Sequence, residues 1–472
     1  MFRSLPPEIQ LFVAASLKAG DKVNLIYTCH YFYDLVIPQL YENLPDAMYL
    51  SAQLVDALVR NPALQKYPRY IRIEAWISED ETDSESESDE DRDGTPAQEE
   101  DDIGNDPTDP MPQVGLFCKH AKEICVSDDD GSWWAKDIRK GYVDAWIALL
   151  LTLAPNLTRL EVQFPFNSRG WVQRVVRWTV ERRFAKPVLR QVAQVFVSGR
   201  WSDNKDEGAD EVVTDWTLPF LALPALQRFG TDALREVHYK VDEPVPPSSA
   251  IHLAVWNCAG LQDVERFIAK CPNLVSYRHE SGQLSLPFRR TYRALLGVKD
   301  SLKEIWLHVW QARHAARVKW PSFREFAALE TLHVPIFLLE DFDGEARDVD
   351  LSALLPPTLR TLHVTGAVHS TLPSLFLSLL QYVKTPRTEV TEFIVATTHV
   401  DPARETVRAV MDARKRPHND LTADEASNSI FEAVADLQVA CSERAISFEY
   451  SQLLGSDLGN RWRFPDPFYQ TR

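Results

Sequence analysis

The 472-residue chain has no run approaching the roughly 18 apolar residues that span a bilayer, so no membrane-crossing helix is expected. Its opening, MFRSLPPEIQ, puts prolines and a glutamate where an export signal needs an unbroken apolar core. The six cysteines (Cys29, Cys118, Cys125, Cys258, Cys271, Cys441) have neither CxxC pairing nor zinc-finger spacing. In a long chain without an export signal, that pattern points to reduced, mostly buried thiols rather than a disulfide framework. Also missing are a Walker loop, G-x-S-x-G, H-E-x-x-H and the dinucleotide glycine fingerprint. The expectation is a soluble protein, cytoplasmic or nuclear, that is not an enzyme, uses no cofactor or metal and does not touch a membrane.

What is present is an ordinary soluble balance, 45% hydrophobic and 25% charged, in a chain too long for one ordinary core. The net charge of −17 is concentrated in one place. Residues 79–109 hold sixteen acidic residues and Arg92 alone as a base, a local −15, which leaves −2 for the rest. The segment 78–112 has almost no apolar residue to offset the entropy of ordering and is expected to be a disordered insertion. Ser84, Ser86 and Ser88, each followed by acids, suit an acidophilic kinase. A second polar loop is expected at 202–210. Residues 169–190 reverse the sign, with seven bases against Glu181. Trp171, Val175 and Trp178 share one helical face there, which makes the helix amphipathic with its aromatics turned to the core. A broad basic field is lacking, so nucleic acid is not an expected partner; an acidic partner, or the acidic segment itself, suits this face better. The Arg414-Lys415-Arg416 cluster is too short to assign nuclear import.

The first forty-five residues read as two or three short helices. Ser4 is a possible cap, Pro6 and Pro7 suit a first turn, and Glu8 suits the positive end of the helix dipole. Ile9, Phe12, Val13 and Leu17 are spaced to share one apolar face. Gly20 is expected to break that helix, Asp21 to cap the next, and Pro38 to close the unit. Such a unit buries too little surface to stand alone and needs something to dock on. The run LPPEIQLFVAASLKAGDKVNLIYTCHYFYDLVIPQLY resembles an F-box motif over residues 4–41. The matching positions are Leu5, Pro6, Glu8, Ile9, Val13, Leu17, Asp21, Val23, Leu25, Cys29, Phe32, Tyr33 and Leu35, in order and without gaps. Lys18-Ala19 stands where the family usually has Asp-Pro, and Thr28 where it has valine. The resemblance implies binding to the Skp adaptor, and through it a cullin, with Leu5, Pro6, Ile9, Val13 and Leu17 as the apolar contacts.

Beyond the helices a degenerate L-x-x-L-x-V pattern recurs, starting at 250, 274, 302, 329, 359 and 390. Weaker copies sit at Ile71-Ile73, Ile124-Val126 and Leu157-Leu160-Val162. The fullest copy runs from the strand IHLAVWNC, with Cys258 at its inward-turning end, into LQDVERFIAK and a Cys271-Pro272-Asn273 stop. Strand, turn, helix and stop close in about 24 residues. A doubly wound parallel sheet also alternates strand and helix, but the short period and the missing phosphate loop favour a solenoid. The repeats resemble the irregular leucine-rich repeats that often follow F-box motifs. The expected fold class is therefore α/β, with N-terminal F-box helices (1–45) followed by an irregular leucine-rich-repeat solenoid (46–450). Parallel strands should line its concave face and helices its convex face, with a tail at 451–472. Strand geometry turns Glu161, Ala254, Arg278, Trp306, His333, His363 and Ile394 to the concave surface, with His308 and Thr365 beside them. Arg278, Trp306, His308, His333 and His363 are the candidate partner-binding set, and Trp306 is the expected exposed anchor. A row of histidines one per repeat could mimic a metal site, but no carboxylate or cysteine recurs beside it. Two functions fit: substrate receptor of a Skp–cullin–F-box ubiquitin ligase with an unknown protein target, or an F-box and repeat scaffold outside any ligase.

Overall fold

The computed structural model describes residues 5–44, 51–73, 114–164, 170–199, 212–232, 234–235, 246–256, 262–281, 288–309, 320–339, 349–367, 372–386, 389–397 and 425–452. The acidic segment, the loop at 202–210, Cys258 and the basic cluster at 414–416 lie outside them. The described parts form two compact units, one drawn from residues 1–229 and 237–249, the other from 230–236 and 250–472.

The first unit opens with three helices, α1 (Pro7–Ser16), α2 (Ala19–Ile26) and α3 (His30–Glu42). Their boundaries differ from expectation in three ways. Pro6 stands at the N-cap of α1, Gly20 and Asp21 lie inside the first turn of α2, and α3 runs through Pro38 to Glu42. Proline has no N–H to give the helix at that point, but the six neighbouring turns of packing on Phe32, Val36 and Ile37 keep the helix going. After the short strand β1 (Asn43–Leu44) and α4 (Ser51–Arg60), β2 (Tyr70–Ile73), β3 (Arg159–Phe164) and β4 (Gln194–Gly199) pair in sequence order, all parallel. Between β2 and β4 lie α5 (Val114–Ile124), α6 (Asp128–Arg139), α7 (Val143–Thr152) and α8 (Trp171–Val180), and after β4 comes α9 (Thr214–Leu221).

The expected strand at Ile124-Val126 is absent: Ile124 ends α5, and Cys125 makes only an isolated antiparallel bridge to Phe184. Helical periodicity upstream, with Phe117, Cys118, Ala121 and Ile124 all buried, outweighs the local apolar triplet. Gly131 lets α5 and α6 meet closely, since a Cβ there would lie 2.8 Å from the Cα of Lys122. The aromatics of α8 face inward as expected: Trp171, Val175 and Trp178 are buried, and Trp171 stacks on Trp134 with centroids 5.4 Å apart.

The second unit carries seven parallel strands in sequence order: β5 (His252–Trp256), β6 (Ser276–Ser281), β7 (Glu304–Val309), β8 (Thr331–Pro335), β9 (Thr361–Ala367), β10 (Glu392–Thr397) and β11 (Ser447–Gln452). Helices α10 (Gln262–Lys270), α11 (Phe288–Leu296), α12 (Leu351–Leu354), α13 (Leu372–Lys384) and α14 (Glu425–Glu443) fall between them. The last strand ends two residues beyond the boundary expected at 450. Each strand is entered through a tight turn that buries an apolar residue, as Leu274, Leu302, Leu329 and Leu359 show with no exposed surface. Alternation then sends Leu253, Tyr277, Ile305, Leu332, Leu362 and Phe393 into the core, and Val255, Leu307, Val334, Val364 and Val395 two residues later. Helix α10 presents Val264, Phe267 and Ile268 to the core, as its spacing predicts. Each fully buried aliphatic side chain of this kind contributes about 1.5–3 kcal/mol, so the repeats are held chiefly by this apolar stack.

One core position is polar without reward. The hydroxyl of Tyr382 on α13 is buried with no hydrogen-bond partner, and burial pushes its pKa up to about 12. A buried unsatisfied hydroxyl costs about 1–3 kcal/mol. Tyr382→Phe is therefore expected to leave the melting temperature unchanged or raise it by a few degrees in a thermal denaturation scan, and a clear drop would show that the hydroxyl is in use.

Candidate protein-interaction surfaces

Two surfaces stand out, one in each unit. On the N-terminal helices, α1 turns Gln10 and Ala14 inward, both essentially unexposed, because they lie one above the other a helical turn apart. Gln10 is tolerated there since its Nε2 donates to the Leu5 carbonyl (2.6 Å) and its Oε1 accepts from the Tyr31 hydroxyl (2.7 Å). Gln39 of α3 donates to the Leu11 carbonyl (3.1 Å), a second clamp between the same two helices. With that face occupied, the apolar side chains of α1 point outward. Leu5 is 38% exposed, Ile9 47% and Phe12 76%. Seven of the eleven exposed large hydrophobics among the described residues lie between Leu5 and Tyr33. Such a concentration marks a docking surface, since scattered exposed apolar residues are ordinary but a cluster is not.

Of the five residues expected to contact an adaptor, Leu5, Pro6 and Ile9 are exposed, and Val13 and Leu17 are half-buried. Phe12, the most exposed of the α1 apolar side chains, was absent from that set. The signal lay in the helical period: taking Ala14 rather than Val13 as the packed residue turns the outward stripe by about 100° and brings Phe12 to its centre.

The second surface is the polar face of the seven-stranded sheet. Strand pairing aligns Ala254, Arg278, Trp306, His333, His363 and Ile394 in one row, each opposite the next. Ile305 and Leu307 are buried on the other face, which fixes the register of Trp306. The row continues to Glu449 on β11, a strand absent from the repeat series. His308 lies on the same face beside it, opposite Glu280.

The row is more enclosed than expected. His333 is 1% exposed, His308 6% and His363 9%, and Trp306 is half-buried rather than an open anchor. The physical reason is sheet spacing. Strands lie about 4.8 Å apart, so flat rings on adjacent strands cover one another. The indole of Trp306 stacks on the His333 imidazole with centroids 3.7 Å apart and planes 9° from parallel. The Arg278 guanidinium approaches the same indole at 5.3 Å. Arg278 is itself fixed by an ion pair to Glu304 (2.6 Å), which also accepts from Ser276 (2.7 Å). His333 and His363 bring their Nδ1 atoms to 3.5 Å, and the His308 ring lies 6.0 Å from that of His333.

All three imidazoles are kept neutral. Burial lowers His308 and His363 to about 4. His333 is pushed well below the ordinary histidine range, first by burial and then by His308, His363 and Arg278. Among the described residues no cluster of three or more His, Cys, Asp or Glu is disposed to hold a metal ion.

A fourth histidine, which the concave-face reasoning did not reach, sits in the core. His279 is fully buried, aligned with Val255 and Leu307, and burial lowers it to about 3. Its Nδ1 is 2.8 Å from the Tyr277 hydroxyl.

On the first unit, Glu161 of the expected concave set is buried and held by Arg159 and by the Tyr70 hydroxyl (2.8 Å). These partners were not foreseen. Burial, and then Glu161, raise the pKa of Tyr70.

The strand-turn-helix period and the inward columns of leucine and valine are those of a known class. A family model described as a leucine-rich repeat domain matches residues 206–447, just over half of the chain. The protein belongs to the leucine-rich-repeat family, whose domains are typically non-catalytic modules for binding other proteins. No curated protein matches the chain. Among the described residues no helix is long and apolar enough to cross a membrane.

The four buried histidines set a pH dependence. An unfolded histidine titrates near 6.5, whereas these titrate lower in the folded chain, so the unfolded state binds more protons in between. Stability is fully present above about pH 6.5 and is lost as pH falls toward the folded values near 4 and 3. The melting temperature is expected to fall steadily between pH 6.5 and pH 4.5, and a His279→Leu, Tyr277→Phe double variant to flatten that slope. A melting temperature constant across this window would rule out the neutral buried cluster.

Proposed function

We propose that the chain is the substrate receptor of a Skp–cullin–F-box ubiquitin ligase, its N-terminal helices docking the Skp adaptor while the repeat sheet captures a target protein. The observation that carries this reading is the outward apolar face of α1, where Leu5, Ile9 and Phe12 are exposed on a helical unit that also resembles the F-box motif. A cluster of this kind is costly in water unless a partner covers it. The target would be held by the Arg278–Trp306–His333–His363 row, where an indole already positioned between a guanidinium and an imidazole loses little freedom on binding. Capturing a protein at one end and a ligase adaptor at the other needs no catalytic group in this chain.

The test is co-purification of the full chain with the Skp adaptor and a cullin. A Leu5→Lys, Ile9→Lys double variant is expected to weaken adaptor binding by at least about tenfold, since each aliphatic side chain contributes about 1.5–3 kcal/mol when buried, and to keep the far-ultraviolet circular dichroism of the parent. Unchanged adaptor pull-down would falsify the F-box reading. Recovery of partners without any cullin would instead favour a scaffold acting outside a ligase. Trp306→Ala is expected to lose the captured protein by about 2 kcal/mol or more while the adaptor is still retained.

A further inference from the structure

The first unit carries a basic surface that the proposed function does not use. Residues 170–199 hold six bases (Arg174, Arg177, Arg182, Arg183, Lys186, Arg190) against Glu181 alone, a net of +5. Some of these are occupied. Arg183 pairs with Asp130 (2.6 Å) and Glu181 (3.6 Å), and Arg174 lies 4.0 Å over the ring of Trp133. Arg182, Lys186 and Arg190 are exposed. The stretch Arg183–Ala185 runs beside Ile124–Val126, with Val126 N–H bonded to the Arg183 carbonyl and Ala185 N–H to the Ile124 carbonyl, both at 2.8 Å. That pairing brings Lys186 up to the C-terminal half of α5, where its charge acts on His120. Lys119 and Lys122, both exposed, stand on the same helix turns. Three lysines and Arg182 thus gather around one end of α5. Acids are present nearby as Glu123, Asp128 and Asp129.

The chain also carries the charge that fits this surface, and attaches it close by. The segment 79–109, net −15, rejoins the described structure at Val114, the first residue of α5. From Val114 to His120 is six residues of helix, about 9 Å at 1.5 Å per residue. A segment tethered so near has an effective concentration on the order of millimolar at this surface, and opposite charges within about 10 Å are only partly screened at 0.1 M salt. We propose that the acidic segment 79–109 docks in cis on the surface formed by Lys119, Lys122, Arg182 and Lys186, occupying it against acidic partners from outside.

A zero-length carboxyl-to-amine cross-linker applied to the full chain, followed by peptide mass spectrometry, reads this contact directly. Cross-links from carboxylates of 79–109 are expected to fall mainly on Lys119, Lys122 and Lys186 at 50 mM salt, and to fade at 0.5 M salt. In an Arg182→Glu, Lys186→Glu double variant, with both changes on exposed side chains so that the melting temperature holds, the cross-links at Lys119 and Lys122 should drop at least about threefold. Three outcomes overturn the proposal: cross-links spread evenly over the chain's lysines, yields unaffected by salt or by the double variant, or cross-links confined to a dimer band that disappears on dilution.

Discussion

The repeats hang on one shared backbone carbonyl per turn. The Ile251 carbonyl accepts from the N–H groups of both Val275 and Ser276, at 2.8 and 3.0 Å. The Val275 carbonyl does the same for Lys303 and Glu304, Lys303 for Glu330 and Thr331, Glu330 for Arg360 and Thr361, and Arg360 for Thr391 and Glu392. In the first unit Arg69, Thr158 and Ala193 play the same part. Each such bond pair sits just before a strand begins, so it sets how far the next strand can slide. A slip of one residue would send a whole column of side chains to the other face. The buried apolar residue one step upstream, such as Leu274 or Leu302, anchors the same turn from the core side.

Everything on the polar face follows from that alignment. Because the strands enter in step, residues two positions past the shared carbonyl form a straight row, and the row happens to hold an arginine, a tryptophan and two histidines in succession. Rings held at sheet spacing stack, and stacking removes water from the imidazoles between them. Dehydration in turn disfavours the imidazolium, which is why these histidines titrate far below their usual range. The face is therefore a neutral aromatic strip edged by the Arg278–Glu304 pair rather than a cationic patch. The N-terminal surface is built differently. There a buried polar contact between Gln10 and Tyr31 takes the inner side of α1 and leaves the apolar residues outside, the reverse of an ordinary amphipathic helix.

The sequence by itself determined the repeat class and its register. Leucine and valine two residues apart, preceded by a turn with a further leucine, can bury both only if they point the same way. That places Trp306, His333 and His363 on the opposite side without any knowledge of the fold, and pairing of Ile305 with Leu332 and Leu362 with Phe393 agrees. Short period, parallel order and the inward face of α8 were legible for the same reason, since periodicity is a local property of the chain. Three things required the tertiary structure. Strands with weaker patterns, at Gln194–Gly199 and Ser447–Gln452, exist because a neighbouring edge offers them backbone partners, which no local pattern encodes. The Ile124-Val126 triplet became a helix end because α6 packs against α5 through Gly131. How exposed a residue on the polar face is depends on its neighbours across the sheet, some thirty positions away in the chain, as Trp306 and His333 are 27 apart by number and in van der Waals contact in space. Facing is decided by a residue's own strand; burial is decided by what the other strands bring to it.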